Sequence, residues 1–320
     1  MVRFIQIVVA AVVALAASAA LAQTYPTKPI RLVVGYSPGG GNDVMARIVA
    51  AKLQDRLGQP VVVENKAGAQ SIIAAEFVAK APPDGYTLLV APSGPMTINP
   101  AIYSKLPYAP RDDFAPVSLI AEFPLVLAVT ASLPVKTVPE LIAHAKARPQ
   151  DANYASSAAP FQLAAELFNQ KTASKFVHVP FKGSGDAVAA VATGTVIMTI
   201  SDAGPISAGL QGGTIRALAV TSAARHPAFA GVPTMTEAGI PDMVITLWTG
   251  IVAPAGTPAP IIQRLQQEIA EVMRLPDVRE RYASLGIDAV SSTPQAYARR
   301  IADDIARWTA IAKAADIKLN

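Results

Sequence analysis

Between Ile30 and Arg47 an apolar run ends in Ser37-Pro38-Gly39-Gly40-Gly41 and passes directly into Asn42-Asp43 and a helical pattern. A strand, a glycine loop and a helix N-terminus in that order aim free backbone N–H groups and the positive end of a helix dipole at one point. That is chemistry suited to holding an anion. The groups on offer are Ser37, Gly39, Gly40, Gly41, Asn42 and Asp43. Asp43 or Asn42 would cap the helix, and Asp43 has a ligand role as its alternative.

Three chemistries compete for this loop. Gly35-Tyr36-Ser37-Pro38-Gly39 formally matches the G-x-S-x-G elbow of a serine hydrolase. In that elbow the residue after the serine donates its N–H to the oxyanion, and Pro38 has none. The three histidines offer no obvious base: His144 falls on a polar helix face, His226 precedes Pro227 in a loop, and His178 sits inside an apolar strand where a structural role is expected. A dinucleotide site is the second possibility, with Gly39-x-Gly41 opening the helix and Glu64 ending the next strand. Val44 then occupies the position where a small residue lets the helix pack closely, and Asp43 would put negative charge beside a pyrophosphate. No Walker A sequence occurs. A carboxylate is the third possibility, and for it neutral amides and hydroxyls suffice.

The surrounding elements are strands alternating with helices. Ile30–Tyr36, Val61–Glu64 and Tyr86–Ala91 read as strands, with helices near 43–57 and 72–80 between them. In the first helix Met45, Val49, Leu53 and Leu57 recur every fourth residue, and Gly58 with Pro60 stops it. The pattern restarts with strands at Leu125–Val129, Asn153–Ser156, Val177–Val179, Val196–Ser201 and Ile215–Thr221, and helices at Val138–Ala147 and about Phe161–Gln170. The C-terminal stretch is helical over Ala259–Arg274, Asp277–Leu285 and Pro294–Ala315. Short apolar strands in alternation with helices predict α/β architecture with parallel sheets.

Composition narrows the class. Arg3, the apolar run Phe4–Leu21 and Ala20-Leu21-Ala22 before Gln23 read as a signal peptide cleaved after Ala22, in preference to a membrane anchor. The chain has no cysteine, which removes disulfides, thiolate metal sites and thiol nucleophiles. Without Arg3, 26 basic residues face 23 acidic ones, and no dense basic run with interleaved aromatics points to nucleic acid. Acid pairs such as Asp112-Asp113 and Asp303-Asp304 are adjacent and do not share a helix face, so no metal site is expected.

Several blocks carry a resemblance. They are Pro38–Asp43 (PGGGND), Leu57–Asn65 (LGQPVVVEN), Ala81–Leu89 (APPDGYTLL), Asn99–Tyr103 (NPAIY), Phe114–Val117 (FAPV), His178–Gly183 (HVPFKG), Arg216–Ser222 (RALAVTS), Val232–Gly239 (VPTMTEAG) and Ala253–Pro258 (APAGTP). Together, and in this order, they resemble the Bug-type periplasmic solute receptors of the tripartite tricarboxylate transporter system, across nearly the whole chain. The resemblance implies a two-lobed α/β fold like the type II periplasmic binding proteins. A first lobe of residues 23–123 and 246–320 and a second of 124–245 would join at crossings near Phe123 and Ile245. It implies a non-catalytic, monomeric periplasmic receptor without cofactor. Such a receptor would close on a small organic carboxylate (a dicarboxylate, a carboxylated aromatic or an amino acid) and deliver it to membrane permease subunits. An exported α/β hydrolase-like enzyme acting on a carboxylate or ester is the alternative.

The family's ligand loops match Ser37–Asp43, the turn Asn65–Gln70 with Gly68, Ala69 and Gln70, and Ser93-Gly94. The second lobe would add Ser156, Ser157, Phe161, Lys182, Gly183 and Asp202. Lys182 reads equally as a surface lysine, and Asp202 equally as an amine-binding group or a helix cap. Trp248 is expected to pack at the crossing. The chain departs from the family pattern at Gln70, at Pro95 and in Ala155–Phe161, which is shorter and poorer in glycine. These changes bear on the far end of the ligand and point toward a partly apolar or aromatic carboxylate.

Overall fold

The structure is a computed structural model that describes residues 25–318. The expected signal peptide lies outside those residues. Two sheets organise the chain. The first has strand order β11-β4-β10-β3-β1-β2, built from β1 (Ile30–Val34), β2 (Val61–Asn65), β3 (Thr87–Pro92), β4 (Phe114–Pro124), β10 (Thr246–Pro254) and β11 (Asp288–Ala289). The second has order β7-β6-β8-β5-β9, from β5 (Val126–Thr130), β6 (Asn153–Ser156), β7 (Val177–Pro180), β8 (Met198–Ser201) and β9 (Ile215–Val220).

Both sheets are mixed, where alternation predicted parallel ones. β2, β1 and β3 run parallel, as do β7, β6 and β8. β10 runs antiparallel to β3 and β4, and β5 antiparallel to β8 and β9. The reason is connectivity. β4 feeds β5 through Leu125 alone, so the chain leaves one sheet and enters the next without room for a crossover helix. β4 and β10, missed as strands from sequence, pair along their whole lengths, with Phe123 opposite Leu247.

Thr221 ties the two passages together. Its hydroxyl donates to the Ile245 carbonyl at 2.6 Å, and the Thr221 hydroxyl oxygen itself accepts from the Leu125 N–H at 2.8 Å. Thr221 is fully buried, so these bonds satisfy groups that would otherwise be orphaned.

Helix α1 (Gly41–Leu57) shows how the first core forms. Met45, Val49, Leu53 and Leu57 are buried as their spacing predicts, against Leu32 and Val34 of β1 and against Leu265 and Ile269. Gly58 closes the helix in the left-handed conformation, its N–H donating to the Gln54 carbonyl. Helices α2 (Ile72–Ala79), α3 (Asn99–Ile102), α4 (Val138–Ala147), α5 (Ala159–Thr172), α6 (Ser184–Ala192), α7 (Ala203–Gln211), α8 (Ala259–Val272), α9 (Pro276–Ala283) and α10 (Pro294–Ala314) complete the layers. α6 and α7 were not legible from sequence. Their Gly- and Ala-rich stretches carry little apolar periodicity, and each begins at a strand-end loop residue, Gly183 or Asp202. Among the described residues no helix is long and apolar enough to cross a membrane.

Candidate ligand-binding cleft

The carboxyl ends of β1, β2 and β3 fall together at one edge of the first sheet, since Val34 aligns with Asn65 and with Val90 just before Pro92. The same holds for Ser156 and Pro180 in the second sheet. Loops after parallel strands are where α/β proteins place ligand sites. A cavity of about 450 Å³ lies between these edges. The first lobe contributes Tyr36, Gly39, Gly41, Asn42 and, behind them, Val44 and Met45. Pro92, Ser93 and Gly94 follow from the end of β3. The second lobe contributes Ala158, Pro160 and Phe161 at the start of α5, and Asp202, Ala203 and Gly204 at the start of α7. Phe123 and Leu247 line it at the crossings, and Leu285, Gly286 and Ile287 enter from the segment after α9.

The glycine loop is built differently from the expected cap. The helix N-cap is Gly40, and neither Asn42 nor Asp43 holds that position. Asp43 lies within the first turn and is buried, with its carboxylate turned back into the loop. It accepts from the Gly39 N–H at 2.9 Å, from Arg47 Nε at 2.9 Å and from Asn65 Nδ2 at 2.8 Å. The Arg47 guanidinium, helped by the Gly39 N–H and the Asn65 amide, brings the Asp43 carboxyl down to about 2, against the opposing effect of burial. The Gly39 and Gly40 amides are thereby spent, the second on the Ser37 carbonyl at 3.3 Å. The first helical bond runs from the Val44 N–H to the Gly40 carbonyl. The N–H groups of Gly41, Asn42 and Asp43 therefore stand before it without an acceptor among the described residues. Asn42 Oδ1 accepts from Thr249 Oγ1 at 2.9 Å, which fixes its side chain at the cavity wall. Burial pushes the Tyr36 phenol up to about 12, so it stays a neutral donor.

The other expected site residues divide. Ser93, Gly94, Phe161 and Asp202 line the cavity with Gly39, Gly41 and Asn42. Ser37, Gly40 and Asp43 stand behind the lining and shape the loop. Asn65 donates to Asp43 and to the Tyr36 carbonyl, supporting the loop from outside the cavity. Gly68, Ala69 and Gln70 are exposed and outside the lining. Ala69, Gln70 and Ser71 have φ of 45°, 53° and 69°, three consecutive left-handed residues, and the Asn99 amide holds the Gln70 carbonyl at 3.1 Å. Ser156 and Ser157 fall outside the lining, as do Lys182, which is exposed, and Gly183, the N-cap of α6. Asp202 occupies the N-cap position of α7, but its side chain makes no capping bond and accepts instead from Ser201 Oγ at 2.9 Å. Trp248 is fully buried, its Nε1 donating to Asp304 Oδ2 at 2.7 Å.

Two features escaped the sequence reading. Leu285, Gly286 and Ile287 reach the cavity from more than 240 residues beyond the glycine loop, with no motif to mark them. Ser156 Oγ and His178 Nε2 form a pair at 2.7 Å, a serine–histidine contact where none was expected. Ser156 is 4% exposed and outside the cavity, and the His178 ring stacks on Tyr154 with centroids 5.1 Å apart. The pair knits β6 to β7 and stands outside the cavity lining.

Two α/β lobes opposed across a cleft, with a helix N-terminus facing it, are the arrangement of a solute-binding receptor of the periplasmic binding protein type. The chain belongs to the tripartite tricarboxylate transporter receptor family: the model described as "Tripartite tricarboxylate transporter family receptor" matches residues 45–317. Protein BugT of Bordetella pertussis is 39% identical over 301 residues, covering 93% of this chain and 92% of that one. Among solved structures, R. palustris Rpa4515 with adipate is 37% identical with a TM-score of 0.82, covering 92% of this chain and 99% of that one. MatC from Rhodopseudomonas palustris with bound malate is 31% identical with a TM-score of 0.76, covering 90% and 99%. The protein is thus a receptor and not an enzyme, and the hydrolase-like alternative falls.

Proposed function

We propose that this protein captures a small organic carboxylate in the periplasm and passes it to separate membrane permease subunits of a tripartite transporter. Within the described residues, 25–123 with 246–318 form one lobe and 124–245 the other, and closure between them encloses the ligand. The observation that carries the reading is the trio of unpaired N–H groups at Gly41, Asn42 and Asp43, two of whose residues line a cavity of about 450 Å³. Three convergent N–H donors at the end of a 17-residue helix can satisfy a carboxylate without a cation. The adipate and malate held by the two structural relatives agree with this ligand class.

Thermal shift on the mature protein against mono- and dicarboxylates tests it. A ligand at one hundred times its Kd stabilises the native state by about 2.7 kcal/mol. One or a few carboxylates raise Tm, and the same compounds are recovered unchanged. Turnover of a compound, or a panel with no shift at all, contradicts the proposal.

A further inference from the structure

The lining of the cleft is lopsided in charge. No lysine or arginine is among the residues that line it, and its one ionisable carboxylate, Asp202, lies on the second lobe. Apart from Ser93 at the end of β3, the rest of the wall away from the glycine loop carries apolar side chains, with Phe123, Leu247, Pro160, Phe161 and Ile287 as its larger members.

The two helix N-termini of the second lobe are poor anion sites. At α5, Pro160 sits in the first turn and has no N–H, and the Phe161 and Gln162 N–H groups are both bonded to the Ala158 carbonyl. Only the Ala159 N–H is left. At α7, the free Ala203 and Gly204 N–H groups lie next to Asp202, which already places negative charge at that helix end. Pro205 then removes a further donor. The one cation expected near this wall, Lys182, is exposed and outside the lining.

Resting on the carboxylate-receptor reading above, we infer that the ligand is an apolar or aromatic monocarboxylate whose single carboxylate meets Gly41–Asp43 and whose body lies against Phe161. A second carboxylate at the far end would be desolvated without a counter-charge, beside a like charge on Asp202. An aromatic or aliphatic body instead gains from leaving water against Phe123, Leu247 and Phe161. The neighbours with adipate and malate hold dicarboxylates. This chain's second-lobe wall departs from what such a ligand needs at Pro160, Phe161 and Asp202.

Calorimetric titration with two matched pairs tests the inference: benzoate against terephthalate, and hexanoate against adipate. Each pair differs by one carboxylate on the same body. The expected result is that each monocarboxylate binds at least tenfold tighter than its partner. Asp202→Asn narrows that gap by strengthening the dicarboxylate several-fold, and Phe161→Ala weakens benzoate more than tenfold. Circular dichroism of both variants checks that they are folded. Dicarboxylates that bind as tightly as their partners, or a gap unmoved by Asp202→Asn, overturn this inference and leave the carboxylate receptor standing. Failure of all four compounds to bind overturns the carboxylate reading itself.

Discussion

Gly286 and Ala203 meet across the cleft so closely that a Cβ built on the glycine would lie 2.8 Å from the Ala203 Cβ. Gly286 follows α9 and precedes β11 of the first sheet, and Ala203 opens α7 behind β8 of the second. The contact is an approach between lobes that only glycine permits, and its φ of +70° favours glycine as well.

Gly286→Ala therefore opposes this approach of the lobes through a clash, and adds left-handed strain of about 1–2 kcal/mol at its own backbone. Calorimetry on this variant shows ligand affinity reduced by roughly five- to tenfold, about 1–1.4 kcal/mol. Equal affinity in the two proteins would mean that the lobes do not need this approach to hold the ligand.

Gly41 offers a cleaner block of the anion site. A Cβ there meets nothing within 4 Å, and the residue lines the cavity at the first helical position. Gly41→Leu keeps the fold, with Tm within a few degrees of the parent, because helix propensity favours leucine over glycine by about 0.5–1 kcal/mol. Carboxylate binding drops at least tenfold. Undiminished binding would place the ligand elsewhere.

Asp43 is a positioning group whose removal is felt in the loop. Asp43→Asn keeps its size but cannot accept from Arg47 and Gly39 as a charge, and costs about 1–3 kcal/mol of stability, read by urea denaturation. The sign of its pH dependence follows from its lowered pKa. The stabilisation is fully present above the ordinary carboxylate value of 3.8 and is lost as pH falls toward about 2. The parent loses stability across that window, and the Asn variant shows a smaller slope there. Equal slopes would show that Asp43 gains nothing from the loop.

His178 has the opposite charge type. Burial lowers its pKa, so the folded state favours the neutral ring that pairs with Ser156. Its contribution is complete above the ordinary histidine value of 6.5 and declines as pH falls below it. Tm recorded from neutral to mildly acid pH falls in the parent and falls less in His178→Gln. A parent and variant with parallel curves would remove His178 from the acid sensitivity.

The glycine loop was legible because its residue types and their order carry the geometry: an apolar strand runs out before Ser37-Pro38 and a helical pattern starts just after the glycines. Which amides remain free was not legible, since that depends on Gly39 and Gly40 being spent on Asp43 and Ser37. Local periodicity found α1 and α4, but not β4 and β10, whose apolar runs are interrupted by Pro116, Glu122 and Gly250. The loop at 65–70 was expected in the cleft because the resemblance matched it to the family's ligand loops. The Asn65 side chain instead turns to Asp43, and Ser71 packs on Gly35, where a Cβ would sit 1.8 Å from its hydroxyl oxygen. The third wall, Leu285–Ile287, arrives through tertiary packing that no spacing within the chain encodes.

The most direct measurement of the central claim is the amide spectrum of 15N-labelled protein during titration with a bound carboxylate. The account predicts that the Gly41, Asn42 and Asp43 N–H resonances move downfield in step with saturation, as charge-assisted hydrogen bonds form, while the Gly39 and Gly40 N–H groups, already bonded, move far less. Saturating ligand that leaves the Gly41–Asp43 resonances in place would contradict it.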